Sequence, residues 1–386
     1  MATPRQIALI TAILGLATVP TVAVVALVLS AQVATTPSGR LRQVTGPVVD
    51  GRVSPTPAAT TCTRTVAGFT TTAVHAARDA AGAGTVCFPA GTYAGDLALT
   101  VAGQRWQLDP AAKLTGFLAI RAAGATLSGG IVERPTANPW GWSINVDADD
   151  VTIQGVAFRG GGVVINVLGN DRTRILDNDF SGQTGPAVAI WGDGIGADDT
   201  LISGNTIIQT ATSGVSPVIS RGSETVPYTV WNRRTIVRNN VIDQGTGTRG
   251  WFGVEFARSP NSLIEGNTIR GGQALISFPE ADGSIVRNNR LEITGTAYWG
   301  IEIANSDDVT VENNTFVGDG GGAAVSMNSG SLRARVVNNS ASSLNVLVEM
   351  SGDYNVVTGN ICRMLANLVT YTIGPNTVIR DNGPCS

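Results

Sequence analysis

The sequence is 386 residues long, and only 14% of them are charged, against about 25% in ordinary soluble domains. Its 26 basic and 29 acidic residues leave a net charge of −3, so the chain has no general attraction to nucleic acid or to anionic membranes. Lys113 is the only lysine and His75 the only histidine, which excludes most schemes that need a lysine nucleophile or a histidine base.

An uncharged segment of 23 residues, 7–29, stands near the start of the chain. It is longer than the apolar part of a typical signal peptide, it is long enough to span a bilayer, and no clean cleavage site follows it. We therefore expect residues 1–30 to form an uncleaved signal anchor, with a cleaved signal peptide as the alternative. Residues 31–61 are rich in Thr and Pro and are typical of an extended linker. Residues 62–386 form the predicted domain.

A short helix is predicted over residues 70–81, with Thr70 or Thr71 as its N-cap. His75 falls within this helix, where we expect it to be structural.

The four cysteines, Cys62, Cys87, Cys362 and Cys385, contain no C-x-x-C pair, which argues against a zinc or thiol redox site. An even number of cysteines behind an export segment indicates disulfide bonds and an extracellular or cell-surface location.

An internal repeat occupies most of the chain. Each copy has a short β-branched run, a Gly/Asn corner and a second short apolar strand, and its last asparagine recurs every 21–35 residues. A single copy cannot bury its own apolar face, but stacked copies can. Asparagine tolerates the backbone of a tight corner, and stacked asparagines can bond to one another as a ladder. The recurring asparagines are Asn178, Asn205, Asn240, Asn267, Asn289, Asn314, Asn339, Asn360 and Asn382.

This pattern resembles the right-handed parallel β-helix of the pectate-lyase-like superfamily, whose asparagine ladder the Asn corners match. The resemblance covers residues 62–386. It implies an all-β fold, a single-stranded right-handed parallel β-helix of about 10–11 coils, with the short helix covering its N-terminal end. Adjacent coils lie ~4.8 Å apart, so cysteines one coil apart are within disulfide reach. We therefore expect the pairs Cys62–Cys87 and Cys362–Cys385.

In that family the ligand groove follows the outer face of the first sheet. Counting 12 residues back from the ladder asparagines places Glu255, Glu302 and Asn166 on this face. One-residue slips add Asn145, Ser277, Ser326 and Glu349 to the same column. Two strand spacings, ~9.5 Å, separate Glu255 from Glu302, which falls in the range of the acid and base of inverting glycosidases. We therefore predict a glycoside hydrolase with Glu255 and Glu302 as catalytic residues.

Aromatic residues are expected to flank this column. Every tryptophan except Trp106 falls between residues 140 and 299, on loops or strand edges beside the first sheet. Sugar rings stack well on such side chains. An insertion over residues 218–234 is expected to form one wall of the groove. The predicted substrate-binding residues are Trp191, Trp231, Arg249, Trp251, Tyr298, Trp299, Asn166 and Ser277.

Two other functions stay open. One is a lyase acting on uronic-acid polymers. A Lys or His base is not available for it, so Arg249 would be the base, with Glu255, Glu280 or Asp282 near a calcium ion. The other is a non-catalytic glycan-binding or cell-surface structural protein. Apart from that calcium we expect no cofactor. We expect a polysaccharide as the partner, no nucleic acid, membrane contact only through an uncleaved N-terminal helix, and a monomer.

Overall fold

Short strands wind into a parallel β-solenoid in the computed structural model. The structure describes residues 61–134, 141–192, 195–209, 214–223, 229–245, 251–295, 297–328, 330–363, 366–370 and 373–383. The predicted anchor and almost all of the predicted linker lie outside these ranges. Within them, no helix has both the length and the apolar character needed to cross a membrane.

Three parallel sheets form the faces of the solenoid, and each turn gives one strand to each sheet. Sheet A has 14 strands. They are β1 (Arg64–Thr65), β2 (Thr85–Phe88), β5 (Arg105–Leu108), β8 (Thr126–Ser128), β11 (Thr152–Gln154), β14 (Arg174–Leu176), β17 (Leu201–Ser203), β20 (Ile236–Arg238), β23 (Leu263–Glu265), β26 (Ile285–Arg287), β29 (Thr310–Glu312), β32 (Arg335–Val337), β35 (Val356–Thr358) and β38 (Val378–Arg380).

Sheets B and C have 12 strands each. Sheet B contains β3 (Gly91–Tyr93), β6 (Ala112–Leu114), β9 (Ile131–Arg134), β12 (Ala157–Gly160), β15 (Asp179–Ser181), β18 (Thr206–Ile208), β21 (Val241–Asp243), β24 (Thr268–Arg270), β27 (Arg290–Ile293), β30 (Thr315–Gly318), β33 (Ser340–Ser342) and β36 (Ile361–Arg363). Sheet C contains β4 (Leu97–Leu99), β7 (Leu118–Ile120), β10 (Ile144–Val146), β13 (Ile165–Leu168), β16 (Val188–Trp191), β19 (Val218–Arg221), β22 (Phe252–Ala257), β25 (Ala274–Pro279), β28 (Trp299–Ala304), β31 (Ala323–Asn328), β34 (Val346–Met350) and β37 (Asn367–Thr370). Sheet C is the sheet predicted to carry the groove.

The core is a column of apolar side chains that repeats once per turn. A strand of three or four residues directs only its central side chain, or two alternate ones, into the solenoid. Most of these inward positions carry Val, Ile, Leu or Phe, and they are buried except near the C-terminal end, where Val369 and Ile379 are half-buried. Rings from successive turns also stack: the Phe158 and Phe180 centroids lie 4.7 Å apart. Burial of one large side chain per sheet and turn is what holds the stack together.

The solenoid has about twelve turns, more than the 10–11 predicted. The difference lies at the N-terminal end, where β2 to β9 wind through turns that lack a corner asparagine. Gly124 and Gly129 occupy the left-handed backbone positions in this region, with φ of 69° and 70°. Counting turns by their asparagines therefore underestimates the number.

The predicted asparagine ladder is present in full. In each step, the side-chain oxygen of one ladder asparagine accepts hydrogen bonds from the backbone N–H and the side-chain amide of the previous one. Between Asn267 and Asn289, for example, both distances are 2.9 Å. The ladder runs without a break from Asn178 to Asn382.

Helix α1 (Thr71–Ala81) covers the N-terminal end, as predicted. Thr70 is the N-cap, and its hydroxyl accepts a 3.2 Å hydrogen bond from the Ala73 N–H. Val74, Ala77 and Ala81 form the buried face of the helix.

A disulfide bond joins Cys62 to Cys87, which confirms that pairing and ties the residues before the helix to β2. Cys362 also takes part in a disulfide bond, but Cys385 lies outside the described residues.

A second ladder, built from aspartates, follows the corner between sheets C and A. The Asp149 side chain accepts the Asp171 N–H at 2.9 Å, Asp171 accepts the Asp198 N–H at 2.8 Å, and Asp198 accepts the Arg233 N–H at 2.8 Å. The next residue in each turn has a left-handed backbone, for instance φ of 57° at Arg172. The sequence analysis missed this ladder because its members alternate with arginines and resemble solvated surface charges.

Candidate functional site

One column of side chains runs along the outer face of sheet C. Strand register places Glu255 beside Ser277, Ser277 beside Glu302, Glu302 beside Ser326, and Ser326 beside Glu349. Asn145 and Asn166 lie in the same column nearer the N-terminus. The counted register is thus correct for every predicted member. We refer to the six positions from Glu255 to Thr370 as the Glu/Ser column: Glu255, Ser277, Glu302, Ser326, Glu349 and Thr370.

Two apolar residues interrupt the predicted column. Ala189 and Ile219 occupy the positions between Asn166 and Glu255. Ile219 belongs to β19, so Val218–Arg221 is a strand of sheet C and only the residues after it form the insertion. The sequence analysis assigned these residues to the loop because an apolar residue at an outward position hides the alternation of a half-buried strand.

Glu255 is enclosed in a buried ion pair. Arg221 donates to Glu255 Oε1 through Nε at 2.9 Å, its Nη2 lies 2.8 Å from the same oxygen, and Ser216 donates to Oε2 at 3.2 Å. Only 6% of the Glu255 side chain is exposed. Both oxygens of this carboxylate are already occupied by donors. This arrangement suits a structural role and does not suit the acid or base of the predicted hydrolase.

Glu302 and Glu349 are half-buried and lie two strands apart in the column. Glu302 Oε2 accepts a 2.7 Å hydrogen bond from the Ser277 hydroxyl. Glu349 Oε2 accepts a 2.8 Å hydrogen bond from Trp299 Nε1. Both carboxylates therefore accept a hydrogen bond from a neighbouring side chain of sheet C, and both remain partly accessible to a ligand.

Aromatic side chains stand on both sides of the column. Trp191 lies two positions after the column on β16, and the carbon of the Arg221 guanidinium sits 5.8 Å from its ring centroid. Trp299 lies three positions before the column on β28, and Tyr298 precedes it with 61% exposure. Trp251, 49% exposed, comes directly before β22. These four predicted binding residues do lie beside sheet C.

Trp231 belongs to a loop at the C-terminal ends of β16 and β19, on the same side of the column as Trp191. The next residue, Asn232, donates through its side chain to the Ile190 carbonyl at 3.2 Å and to the Arg221 carbonyl at 3.0 Å. The loop that carries Trp231 is therefore fastened to the ends of β16 and β19. This part of the insertion borders sheet C, as the sequence analysis predicts for a groove wall.

The remaining predicted site residues differ in their surroundings. Asn166 is fully buried and donates to the Asn145 side chain, and Ser277 is 1% exposed and occupied by Glu302. Both side chains hold their neighbours in the column through these hydrogen bonds, and neither presents a group to a ligand. Arg249 lies outside the described residues, as does Trp140.

The calcium arrangement considered for a lyase does not fit the described residues. Glu255 is bound to Arg221, Glu280 lies 3.9 Å from Arg258, and Asp282 accepts the Asp307 N–H at 2.8 Å on a corner of the solenoid. In the part of the chain that the structure describes, no three His, Cys, Asp or Glu side chains come together as a metal site. We therefore derive no step through a metal ion.

The lone histidine and lysine lie away from the column. His75 is on α1, where partial burial and the nearby Arg78 lower its pKa. Lys113 is on β6 of sheet B, 2.5 Å from Glu133. Proton transfer on the outer face of sheet C would therefore fall to carboxylates, tyrosine or arginine.

Comparisons with known proteins agree with this geometry. A family profile described as "Right handed beta helix region" matches residues 142–274 and 229–362, which together exceed half of the chain. A search of curated proteins finds no match to the sequence.

Solved structures with the same architecture have low sequence identity. An alginate lyase of the PL6 family, AlyGC, shares 15% identity at a TM-score of 0.63, over 82% of this chain and 51% of that one. The Dettilon tailspike protein shares 14% identity at a TM-score of 0.56, over 75% and 63%. PfbA, a surface adhesin of Streptococcus pneumoniae, shares 15% identity at a TM-score of 0.50, over 81% and 84%. The chain thus spans about half of the lyase and less than two thirds of the tailspike.

At such identities, likeness to a solved structure shows the fold alone. The profile match, the parallel sheets and the unbroken asparagine ladder agree with one another, and the predicted resemblance is confirmed. The chain belongs to the right-handed β-helix family.

Proposed function

We propose that the outer face of sheet C binds a polysaccharide. The observation that carries this proposal is the accessible part of the Glu/Ser column, Glu302, Glu349 and Thr370, whose half-buried carboxylate and hydroxyl groups follow one line across strands spaced ~4.8 Å apart. A linear polymer of hydroxyl-bearing rings can hydrogen-bond to more than one of these groups. Trp191, Trp251, Tyr298 and Trp299 add aromatic faces beside it, and exposed rings of this kind suit sugar stacking.

Within this function we propose a polysaccharide lyase in place of the predicted hydrolase. The Arg221–Glu255 ion pair takes one member of the predicted acid–base pair out of the groove. An elimination needs instead a base beside the sugar ring and an acid at the leaving oxygen, and a tyrosine hydroxyl can act in either role. Tyr298 is exposed and directly precedes β28, the strand that carries Glu302. We assign proton transfer to its hydroxyl group. The fold shared with the PL6 alginate lyase AlyGC supports this reaction class.

A product assay tests the reaction. The purified protein is incubated with neutral and acidic polysaccharides, and the ultraviolet absorbance of an unsaturated chain end is followed. We expect absorbance to rise with at least one uronic-acid polymer and to be lost in Tyr298→Phe, while binding changes by less than about threefold because the ring is kept. New reducing ends without this absorbance would contradict the lyase assignment, and full activity of Tyr298→Phe would contradict the assignment to Tyr298.

A non-catalytic role is the second candidate, because the surface adhesin PfbA also shares the fold. Binding without any new chain end would support that role, and the groove would then act only in attachment. In either case we propose an extracytoplasmic location, which the Cys62–Cys87 disulfide bond supports because such bonds persist in oxidising compartments.

A further inference from the structure

Two tryptophans on the outer face of sheet C are linked to glutamates of the Glu/Ser column. Trp299 donates its indole N–H directly to Glu349, at 2.8 Å. Trp191 stacks with the Arg221 guanidinium, which in turn is bound to Glu255. Each ring is therefore fixed by a polar partner and is not left to rotate as an ordinary surface side chain would.

The surroundings of Trp299 let its ring lie along the sheet. Its neighbours in the same row are Ala274 on the preceding strand and Ala323 on the following one. Glu349 belongs to β34, two strands beyond Trp299, so the hydrogen bond reaches across β31. The indole N–H therefore reaches past β31, whose residue in the Trp299 row is the small Ala323.

Trp191 and Trp299 stand on opposite sides of the column and at different heights. Four strand steps separate β16 from β28, which is about 19 Å along the solenoid axis. A single sugar cannot reach both rings over this distance. A linear chain of several sugars that crosses the outer face of sheet C from one ring to the other can.

We infer that Trp191 and Trp299 are two stacking platforms for one extended oligosaccharide, and that Glu349 is a positioning residue that sets the plane of Trp299. This inference rests on the proposed function and deepens it, because it makes chain length a determinant of binding. Stacking on a fixed ring loses little rotamer entropy, so a platform that is already oriented contributes more than a mobile one.

The test is an array that carries neutral and acidic polysaccharides and their oligosaccharides of increasing length. We expect the affinity of the wild-type protein for one series to rise steeply at the length that first spans both rings. Trp191→Ala and Trp299→Ala should each weaken binding of the long members about tenfold, and each should remove the steep rise. Glu349→Ala should act like Trp299→Ala, whereas Glu349→Gln should restore binding because its side-chain oxygen accepts the same indole N–H.

A ligand-free measurement separates positioning from general stability. The indole N–H resonance of Trp299, identified by its loss in Trp299→Ala, should shift in Glu349→Ala and stay within the wild-type range in Glu349→Gln. Glu312→Ala is the matched control, because Glu312 is a half-buried glutamate on the outer face of sheet A. It should change neither the resonance nor the binding.

The outcomes distinguish the two levels of the proposal. If no member of the array binds the wild-type protein, the proposed function fails and this inference fails with it. If long oligosaccharides bind but Trp299→Ala or Trp191→Ala keeps the steep rise with length, the proposed function stands and the two-platform inference is overturned. Weak binding by Glu349→Gln equal to that of Glu349→Ala would overturn the positioning role.

Discussion

Among single residues, Glu255 shows how a side chain in the groove can serve the fold. It lies in the column with Glu302 and Glu349, but its carboxylate faces Arg221 and Ser216. Its place in the column could be predicted by counting from the asparagines. Its partner could not, because Arg221 follows Ile219, and an apolar residue at an outward position conceals the strand that carries them both.

We expect Glu255→Ala to destabilise the protein by about 2–3 kcal/mol. Removing one member of a buried ion pair leaves the other charge uncompensated, and the partial exposure of Arg221, 25%, keeps the cost below that of a fully buried pair. Urea denaturation followed by circular dichroism measures the change. Glu302→Gln is the comparison, because its side-chain oxygen can still accept the Ser277 hydroxyl and the variant should lose less than about 1 kcal/mol. Equal losses in the two variants would contradict the structural role of Glu255.

The arginines on the corner between sheets C and A predict a pH dependence, and Arg333 bonds there to Asp307 and Asp308 as Arg172 bonds to Asp149 and Asp150. Hydrogen bonds from Arg172, Arg234 and Arg333 hold the pKa of Asp150, Asp199 and Asp308 below the ordinary value of 3.8. A carboxylate with a lowered pKa in the folded state stabilises the fold above pH 3.8, and that contribution disappears as the pH falls through the lower, folded value.

We therefore expect Arg333→Met to lower the free energy of unfolding at pH 7 and to differ less from the wild-type protein as the pH falls below about 4. Thermal unfolding at pH 7, 5 and 3 measures this. Arg380→Met is the control, because Arg380 and Asp381 are both more than 70% exposed and lie 3.6 Å apart. A difference between Arg333→Met and wild type that grew on acidification would contradict the assignment.

Among structural elements, the asparagine ladder was predictable residue by residue. The ladder asparagine is selected because its side chain both donates and accepts between turns, whereas the left-handed backbone of the corner belongs to the residue before it, for example Gly266 or Asn288. The aspartate ladder performs a similar task on the next corner, but aspartate is also the ordinary residue of a solvated loop. Its regular spacing is visible in the sequence only once the strands on both sides have been placed.

We expect Asn289→Ala to cost about 3 kcal/mol. The substitution leaves the buried backbone N–H and side-chain amide of Asn267 without their acceptor, and each unsatisfied group costs about 1–3 kcal/mol. Asn382 is the matched control, because it is half-buried at the last step of the ladder, and Asn382→Ala should cost clearly less. Denaturant titration of both variants decides the question, and equal losses would mean that the ladder does not act through burial.

For the whole molecule, the fold could be predicted from the repeat, but the function needed the contacts. A repeat of one strand–corner–strand unit determines a solenoid because only stacking buries its apolar positions. The same periodicity places a glutamate on the groove face without determining what it touches. Glu255 paired with Arg221 and Glu349 paired with Trp299 are contacts between turns, and they depend on side-chain directions that spacing alone does not fix.

The most direct test of the polysaccharide groove is binding by a variant that lacks Trp191 and Trp299. The wild-type protein and the double variant Trp191→Ala/Trp299→Ala are compared on the same set of immobilised neutral and acidic polysaccharides, with unfolding curves to show that the double variant is folded. We predict that the wild-type protein binds at least one polysaccharide and that the double variant loses at least about tenfold in affinity. Failure of the wild-type protein to bind any polysaccharide, or equal binding by the folded double variant, would contradict the groove on sheet C.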